Sequence, residues 1–239
     1  MKIINIIRLA VINPRNFLRK LYVRILRFYK LYIVKDSFTF EVTRWFGDRG
    51  DETLRLDYPL TEKSVVFDLG GYVGDFADEI HKRYGCRVYV FEPHPKFYEK
   101  CVARFESNPN ILVFNYGVSD VDGQLSLTDS INASSFLHER KGETSEIVCN
   151  VREFFSVINE LDIEFIDLMK INIEGGEFPL MEHIAKQGRL SLTNNYQIQF
   201  HNFVTNATER RNSIVEALEQ SHKRTWCYEF VWENWELAP

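Results

Sequence analysis

The sequence is poor in cysteine. Its four cysteines, Cys86, Cys101, Cys149 and Cys227, are separated by 15, 48 and 78 positions, with no Cys-x-x-Cys pair and no histidine at zinc-binding spacing. This pattern argues against a disulfide framework and against a small zinc site. It predicts reduced, mostly buried thiols in a cytoplasmic protein.

Long hydrophobic runs are also missing, since a membrane-spanning helix needs about 18 consecutive apolar residues. The apolar stretch over residues 3–12 is interrupted by Asn5 and Arg8. It is followed by Pro14 instead of a small-residue cleavage site, so it does not match a removed signal peptide. We therefore expect a protein of the cytoplasm without a spanning segment.

Acidic residues are absent from the first 35 positions, although the chain as a whole is acidic. Positions 1–35 hold nine Lys and Arg. Because all 239 residues contain 29 Lys and Arg and 34 Asp and Glu, the remaining positions hold 20 basic and 34 acidic side chains. That acidic remainder argues against nucleic acid as a substrate or partner. The hydrophobic content of 45 % suffices for one packed domain and excludes long disorder.

The basic segment has the pattern of an amphipathic helix. Asn13 is a favourable N-cap residue, and Pro14 suits the first helical position. At about 100° per residue, apolar side chains fill one half of the helix circumference, and Lys and Arg fill most of the other half. Residues 1–35 are thus predicted to dock either on an anionic membrane surface or on protein. The first alternative places the protein peripherally on the inner face of the membrane.

Residues 36–61 are predicted to connect this segment to a catalytic domain over residues 62–239. There, short β-rich runs alternate with helical stretches, which is typical of an α/β, doubly wound, mostly parallel sheet. Residues 129–146 are predicted to form a long loop over the active face. The predicted strands are Val65–Leu69, Arg87–Glu92, Ile111–Tyr116, Gln124–Thr128, Ile147–Val151, Phe165–Ile173 and Tyr196–Phe200, closed by an antiparallel strand or hairpin over Trp226–Trp235. The predicted helices are Gly74–Tyr84, Pro95–Phe105, a short one ending at Glu160, Glu177–Gly188 and Glu209–Gln220.

A glycine-rich turn follows the first predicted strand. Asp68 lies near the strand end, Gly70 and Gly71 permit a tight turn, and Gly74 opens the next helix. The spacing is neither the G-x-G-x-x-G of dinucleotide sites nor a phosphate loop with a terminal Lys. It favours a ligand with an amino-acid end and a nucleoside but no pyrophosphate, namely S-adenosylmethionine.

A second acidic residue ends the next predicted strand. Glu92 lies 22 residues beyond Gly70 and is followed by Pro93. In nucleotide-binding sheets, an acid at about this spacing binds the ribose hydroxyls. Asp68, Gly70 and Glu92 together therefore predict a cofactor site at the carboxyl ends of the strands.

Three ordered motifs resemble those of the FkbM-type S-adenosylmethionine-dependent methyltransferases. They are FDLGGYVG from Phe67, FEPHP from Phe91 and LMKINIEGGE from Leu168. The resemblance covers about residues 62 to 202. It implies a class I methyltransferase fold, which is a Rossmann-like sheet of seven strands with one antiparallel strand. It also implies O-methylation of a hydroxyl group. The ending, QIQFHNF from Gln197 through FVWENW from Phe230, resembles members that modify bacterial surface glycans or their lipid-linked precursors.

The motif match implies a role for individual residues. It implies cofactor binding for Asp68, Gly70, Gly71, Gly74 and Glu92, and a position beside the transferred methyl group for Lys170, Asn172, Glu174 and Glu177.

The acceptor side is predicted from residue types. His201, near the end of its strand, and Glu174 are candidates to take the acceptor's proton, whereas Lys170 is a candidate to contact a sugar or phosphate oxygen. Trp232 is predicted either to stack on the carbohydrate acceptor or to belong to the core. We assign the catalytic role to Lys170, Glu174 and His201.

Two positions depart from the family pattern. The family usually has Asp where this chain has Asn172, and often Glu where it has Gln199. An amide oxygen can ligate a metal but cannot act as a base, so the need for a divalent metal stays open. Asn172 in place of Asp also leaves open the alternative that the protein is a non-catalytic module that binds S-adenosylmethionine. A third alternative, an NAD-dependent dehydrogenase or epimerase, is disfavoured by the glycine spacing.

Overall fold

The computed structural model describes residues 14–128 and 146–239, which divide into two compact units at Asp51 and Glu52. Most of the predicted loop, positions 129–145, lies outside the described residues, as do positions 1–13. The first unit contains α1 (Pro14–Tyr29), a π-helical turn (Lys30–Val34) and α2 (Ser37–Gly47).

The first unit turns between its helices at Lys35, whose φ of 56° is left-handed. Asp36 then caps α2, because its carboxylate accepts a hydrogen bond of 2.8 Å from the backbone N–H of Thr39. Arg27 of α1 donates to Thr43 of α2 at 2.8 Å, which joins the two helices. Helix α2 lies within the range predicted as a connecting segment.

The second unit holds the strands and helices of the predicted catalytic domain. Its strands are β1 (Val65–Leu69), β2 (Arg87–Phe91), β3 (Ile111–Phe114), β4 (Gly117–Ser119), β5 (Gly123–Thr128), β6 (Glu146–Glu153), β7 (Ile166–Ile171), β8 (Thr193–Ile198), β9 (His222–Tyr228) and β10 (Trp232–Leu237). Its helices are α3 (Asp75–Tyr84), α4 (Pro95–Phe105), α5 (Phe154–Glu160), α6 (Glu177–Lys186) and α7 (Ala207–Leu218), with a 3₁₀ turn at Leu190–Leu192.

Seven strands form the main sheet in the order β3-β2-β1-β7-β8-β10-β9. Strands β1, β2, β3, β7 and β8 pair in parallel, whereas β10 runs antiparallel to both β8 and β9. The predicted fold class is therefore confirmed, including the single antiparallel strand and the basic helix that precedes the sheet. The predicted closing segment is a hairpin made of β9 and β10.

A second sheet of three strands, in the order β4-β6-β5, was only partly predicted. The sequence indicated β5 and β6, but β4 has three residues, too few for a readable alternation. The strand predicted over residues 165–173 ends earlier, at Ile171, because Asn172 already belongs to the loop beyond it.

The core lies on both faces of the main sheet. On one face, Phe67, Met169 and Tyr196 pack with residues of α5, α6 and α7. On the other face, Val66 and Leu168 pack with residues of α3 and α4. Since both faces are covered, functional groups reach the surface mainly at strand ends.

The four cysteines form no disulfide, and three of them are buried as predicted. Burial raises the pKa of the Cys86 thiol to about 11 and that of Cys101 to about 12. Thiols with such values are largely protonated at neutral pH and react slowly.

Candidate functional site

The turn after β1 fits against its neighbours only because it is built from glycines. Gly70 has a φ of 80°, and a Cβ atom there would lie 2.0 Å from the carbonyl oxygen of Asn172. A Cβ atom on Gly71 would lie 2.2 Å from Cγ1 of Val90. Gly74, with a φ of 82°, caps α3. The turn can therefore pack directly on the ends of β2 and β7.

Glu92 follows β2, and its side chain is hydrogen-bonded to the backbone of this turn. Its carboxylate accepts hydrogen bonds from the backbone N–H of Tyr72 at 2.7 Å and from that of His94 at 2.9 Å. Tyr72 has a left-handed φ of 52°, and its ring lies 4.5 Å from that of Phe97. Burial raises the pKa of Glu92 above its ordinary value, although both backbone bonds oppose that shift.

Asp68 and Lys170 form a buried ion pair at the same edge of the sheet. The Lys170 ammonium group lies 2.7 Å from Oδ1 of Asp68 and 2.7 Å from the carbonyl oxygen of Gly70. Burial lowers the pKa of Lys170, against the attraction of Asp68. The sequence suggested contact with a sugar or phosphate oxygen, but the ammonium group is directed into the protein. The structure thus corrects that prediction, and Lys170 holds Asp68 and the glycine turn.

Two buried oxygens at this edge have no hydrogen-bond partner among the described residues. They are Oδ2 of Asp68 and Oδ1 of Asn172. A buried acceptor without a donor is costly, so this edge suits a ligand that brings N–H donors. The α-ammonium group of S-adenosylmethionine is such a donor. Each carboxylate oxygen of Glu92 also keeps a lone pair for a ribose hydroxyl. The residues present therefore fit this cofactor.

A histidine and a buried carboxylate meet beside that edge. Glu177, the first residue of α6, is fully buried. It accepts from the backbone N–H of His201 at 2.8 Å, and its Oε1 lies 2.9 Å from Nδ1 of the same residue. It also accepts from the N–H of Gly175 at 2.8 Å. Nε2 of His201 faces Glu174, whose Oε2 lies 3.9 Å away.

This geometry changes the role predicted for Glu177. Both oxygens of the Glu177 carboxylate are engaged by His201 and Gly175, which favours the positioning of His201 over the predicted place beside the acceptor. Glu174 remains accessible, with its side chain 67 % exposed. Its φ of 53° is left-handed, a strained conformation that is common at functional loops.

Trp232 belongs to the core, which was one of the two predicted alternatives. It is 5 % exposed, and the guanidinium carbon of Arg55 lies 4.3 Å from its ring centroid. The alternative prediction, an open ring for a sugar, is therefore corrected. Phe203 is an exposed aromatic side chain beside His201, at 66 %, with its ring 5.2 Å from that of His201. The sequence signal that could have pointed to Phe203 is the HNF motif that directly follows the predicted strand Tyr196–Phe200.

The described residues contain no cluster of potential metal ligands. No group of three or more His, Cys, Asp or Glu side chains there could hold an ion. Asn172 therefore lacks a surrounding ligand set within the described residues. The need for a divalent metal stays open.

The strand order, the glycine turn and the acid after β2 define a class I S-adenosylmethionine-dependent methyltransferase. The model of the methyltransferase FkbM domain matches residues 68–224. The chain belongs to this family, as the sequence motifs predicted. No curated protein matches the chain significantly.

Several solved structures show a distant similarity to the chain. A Streptococcus mutans protein described as a methyltransferase, solved with SAH, is 12 % identical with a TM-score of 0.46, covering 75 % of this chain and 91 % of that one. A Clostridium thermocellum protein described as an rRNA methylase is 7 % identical with a TM-score of 0.48, covering 81 % and 96 %. An rRNA methylase from Streptococcus thermophilus is 12 % identical with a TM-score of 0.44, covering 75 % and 90 %. At these identities and TM-scores the likeness carries no conclusion about activity or substrate.

Proposed function

We propose that the protein transfers the methyl group of S-adenosylmethionine to a hydroxyl group of a sugar in a bacterial surface glycan or its lipid-linked precursor. The observation that carries the proposal is the pair formed by His201 and Glu177 at the carboxyl edge of the sheet. A hydroxyl acceptor must lose a proton, and this pair is built to receive one.

The cofactor supplies a methyl group that its sulfonium already activates, so the protein has to position the acceptor and remove its proton. Glu177 accepts the Nδ1 hydrogen of His201, which leaves Nε2 as the basic nitrogen. Nε2 takes the acceptor's proton, and the nearby Glu174 carboxylate stabilises the resulting imidazolium. General-base catalysis of this kind contributes typically about 10²- to 10⁴-fold in rate.

Phe203 supports a sugar as the acceptor. Its ring is largely exposed and lies beside His201. The C–H face of a sugar packs on an aromatic ring while its hydroxyl groups stay free for a base. The glycan class follows from the resemblance of the chain's ending to glycan-modifying members of the family.

The direct test is transfer of a radiolabelled methyl group from S-adenosylmethionine to extracted bacterial glycan. We expect labelled glycan with the wild type and almost none with Asp68→Ala or Glu92→Ala. A wild type that binds S-adenosylhomocysteine and labels no glycan, together with an Asn172→Asp variant that does label it, would instead identify the non-catalytic module that Asn172 left open. If Asp68→Ala and Glu92→Ala both label glycan as the wild type does, the proposed cofactor site is wrong.

We also propose that α1 docks the protein on an anionic membrane surface. Nine large apolar side chains of α1 and the following turn are 42 to 65 % exposed, an unusually large apolar surface for a helix. They are Leu18, Leu21, Tyr22, Ile25, Phe28, Tyr29, Tyr32, Ile33 and Val34. Aromatic and aliphatic side chains of this kind suit the headgroup boundary of a bilayer.

Charge favours an anionic surface for this helix. Residues 14–35 contain seven Lys and Arg and no Asp or Glu. Each cation near such a surface contributes about 1 kcal/mol before the costs of ordering. Within the described residues, no helix is long and apolar enough to cross a bilayer. A peripheral attachment is the mode that this composition supports.

Vesicle co-sedimentation of the full chain tests this attachment. We expect binding to vesicles of equal parts phosphatidylglycerol and phosphatidylcholine, weakened by salt, and little binding to phosphatidylcholine alone. Phe28→Glu should reduce binding at least ten-fold, since burying a Phe is worth about 2 kcal/mol. Val121→Glu is the matched control, because Val121 is also an exposed apolar residue. Equal binding of wild type and Phe28→Glu would overturn the membrane proposal and favour docking on protein.

A further inference from the structure

We infer that the side chain of Gln199, with that of Asn172 beside it, binds acceptor hydroxyl groups next to the one that is methylated. The two residues end neighbouring parallel strands, since Asn172 directly follows β7 and Gln199 directly follows β8. The inference rests on the proposed function, because it concerns the acceptor. It adds which side chains select the hydroxyl group that reacts.

The strand register brings these two carboxamides together. Ile171 is paired with Ile198 at the ends of the two strands. The pairing continues by one residue, because the backbone N–H of Gln199 donates to the carbonyl oxygen of Ile171 at 2.9 Å. Neighbouring strands are about 4.8 Å apart, so Asn172 and Gln199 are adjacent across this row.

The pair lies on the face of the sheet that carries the ion pair of Asp68 and Lys170. Side chains two positions apart along a strand point to the same face. By this alternation Asn172 follows Lys170, and Gln199 follows Gln197, the residue that is paired with Lys170. Since Lys170 holds Asp68 and the glycine turn, the two amides form the next row toward the surface.

Measured contacts place this row between the glycine turn and the proposed base. The backbone N–H of Asn172 donates to the carbonyl oxygen of Leu69 at 3.1 Å, and a Cβ atom on Gly70 would overlap the carbonyl oxygen of Asn172. Further along the same two loops, Oε2 of Glu174 lies 3.9 Å from Nε2 of His201. Each loop thus carries an amide and, two residues later, one member of the pair formed by Glu174 and His201.

Neither carboxamide is engaged by the part of the chain that the structure describes. Oδ1 of Asn172 is a buried oxygen without a hydrogen-bond partner there. Gln199 is only 9 % exposed, and its side chain also makes no hydrogen bond to a described residue. Gln197 behaves differently, because it accepts from Arg55 at 3.2 Å and donates to Tyr58 at 2.6 Å. Polar groups at such depth are normally hydrogen-bonded, so the two amides are suited to a ligand.

A carboxamide matches a hydroxyl group in its hydrogen bonding. The NH₂ group donates and the oxygen accepts, and a hydroxyl group does both. Two adjacent carboxamides therefore fit neighbouring hydroxyl groups of a sugar ring, and they bring no charge for a phosphate or carboxylate group. With those hydroxyl groups held by the amides, the next hydroxyl group of the ring is presented to Nε2 of His201. The amides thereby determine which position is methylated.

Kinetics of the full chain with radiolabelled S-adenosylmethionine and extracted bacterial glycan test the inference. The variant is Gln199→Met, because Oδ1 of Asn172 also fits the ammonium group of the cofactor. It keeps the length of the side chain and removes its hydrogen bonds. We expect the KM for the glycan to rise about ten-fold, while the affinity for S-adenosylhomocysteine changes less than two-fold. Gln187→Met is the matched control, because Gln187 is an exposed glutamine at the other end of α6.

The position of the methyl group gives a readout that a merely structural Gln199 would not change. After hydrolysis of the labelled glycan, we expect one mono-O-methyl sugar from the wild type and from Gln187→Met. Gln199→Met should give more than one, because the ring is no longer held in a single orientation. If this variant does not fold, Gln199→Glu replaces it, since it keeps the shape of the side chain and removes both N–H donors. The same changes in KM and position are then required.

Three results would overturn the inference, and they are distinguishable. If the wild type labels glycan but Gln199→Met leaves both the KM and the methylated position unchanged, this inference alone is wrong. If Gln199→Met weakens the glycan and S-adenosylhomocysteine equally, Gln199 belongs to the cofactor site instead. If the wild type labels no glycan at all, the proposed function fails and this inference fails with it.

Discussion

The carboxylate of Glu177 accepts hydrogen bonds from the backbone amide of His201 at 2.8 Å and lies 2.9 Å from its ring Nδ1. The first bond fixes the position of the residue, and the second fixes the orientation and tautomer of the ring. Because Glu177 begins α6 and His201 follows β8, the pair also ties two loops together at the edge of the sheet.

We expect His201→Gln to lower kcat by about 10²- to 10⁴-fold, because it removes the base. Glu177→Gln should lower kcat less, since it weakens the orientation of the ring but leaves the imidazole in place. Neither change should alter the affinity for S-adenosylhomocysteine more than about two-fold. Steady-state kinetics and calorimetry check both statements. Full kcat in His201→Gln would contradict the assigned base.

Cofactor affinity should fall as the pH is lowered. We expect the ionised Glu92 to accept hydrogen bonds from the ribose hydroxyls, and burial raises its pKa above the ordinary 4.5. As the pH falls through this raised pKa, the carboxyl group becomes protonated and loses an acceptor, so the dissociation constant of S-adenosylhomocysteine increases. The midpoint should lie above pH 4.5. Calorimetry across this range should show the effect in the wild type and a flat profile in Glu92→Gln.

Asp68→Asn should weaken S-adenosylhomocysteine far more than 5′-methylthioadenosine. 5′-Methylthioadenosine lacks the ammonium group, from which we expect the unpartnered Oδ2 of Asp68 to accept a hydrogen bond. The variant also leaves the Lys170 charge buried without its counter-ion, a loss of about 3 to 5 kcal/mol in unfolding free energy. Asp68→Asn combined with Lys170→Met should regain stability but not affinity. Equal weakening of both ligands would argue against the ammonium contact.

Gly71→Ala should abolish cofactor binding through sterics alone. A Cβ atom there overlaps Cγ1 of Val90 at 2.2 Å, so the turn has to move away from β2. Gly123→Ala serves as the control, because no atom of the described residues lies within 4 Å of its added Cβ. Calorimetry and thermal unfolding of both variants measure the effect. Wild-type affinity in Gly71→Ala would show that the turn does not hold the cofactor.

Phe203→Ala should raise the KM for the glycan acceptor several-fold while leaving kcat and cofactor affinity nearly unchanged. The ring is exposed beside His201 and offers a stacking face. Phe203→Tyr keeps that face and should keep the wild-type KM. A KM that is unchanged in Phe203→Ala would remove Phe203 from the acceptor site.

Local patterns in the sequence were sufficient for the fold class, and they also led to a prediction of the cofactor edge. The alternation of strands and helices predicted the main sheet, and the spacing of Asp68, Gly70 and Glu92 predicted where the cofactor edge lies. These features are readable because strand and turn preferences depend on neighbouring residues. The short strand β4 was missed because three residues are too few for a readable alternation, and helix α2 was missed because its residues were assigned to a connecting segment.

The sequence by itself therefore determined the family, the glycine turn and the division between a basic helix and an acidic body. Only the tertiary structure decided which side chains meet. Lys170 reaches Asp68 across 102 positions, and His201 reaches Glu177 across 24. Such partnerships depend on strand register and helix packing, which bring distant residues together. For the same reason, sequence alone could not show that Arg55 covers Trp232 and that Phe203 stays exposed.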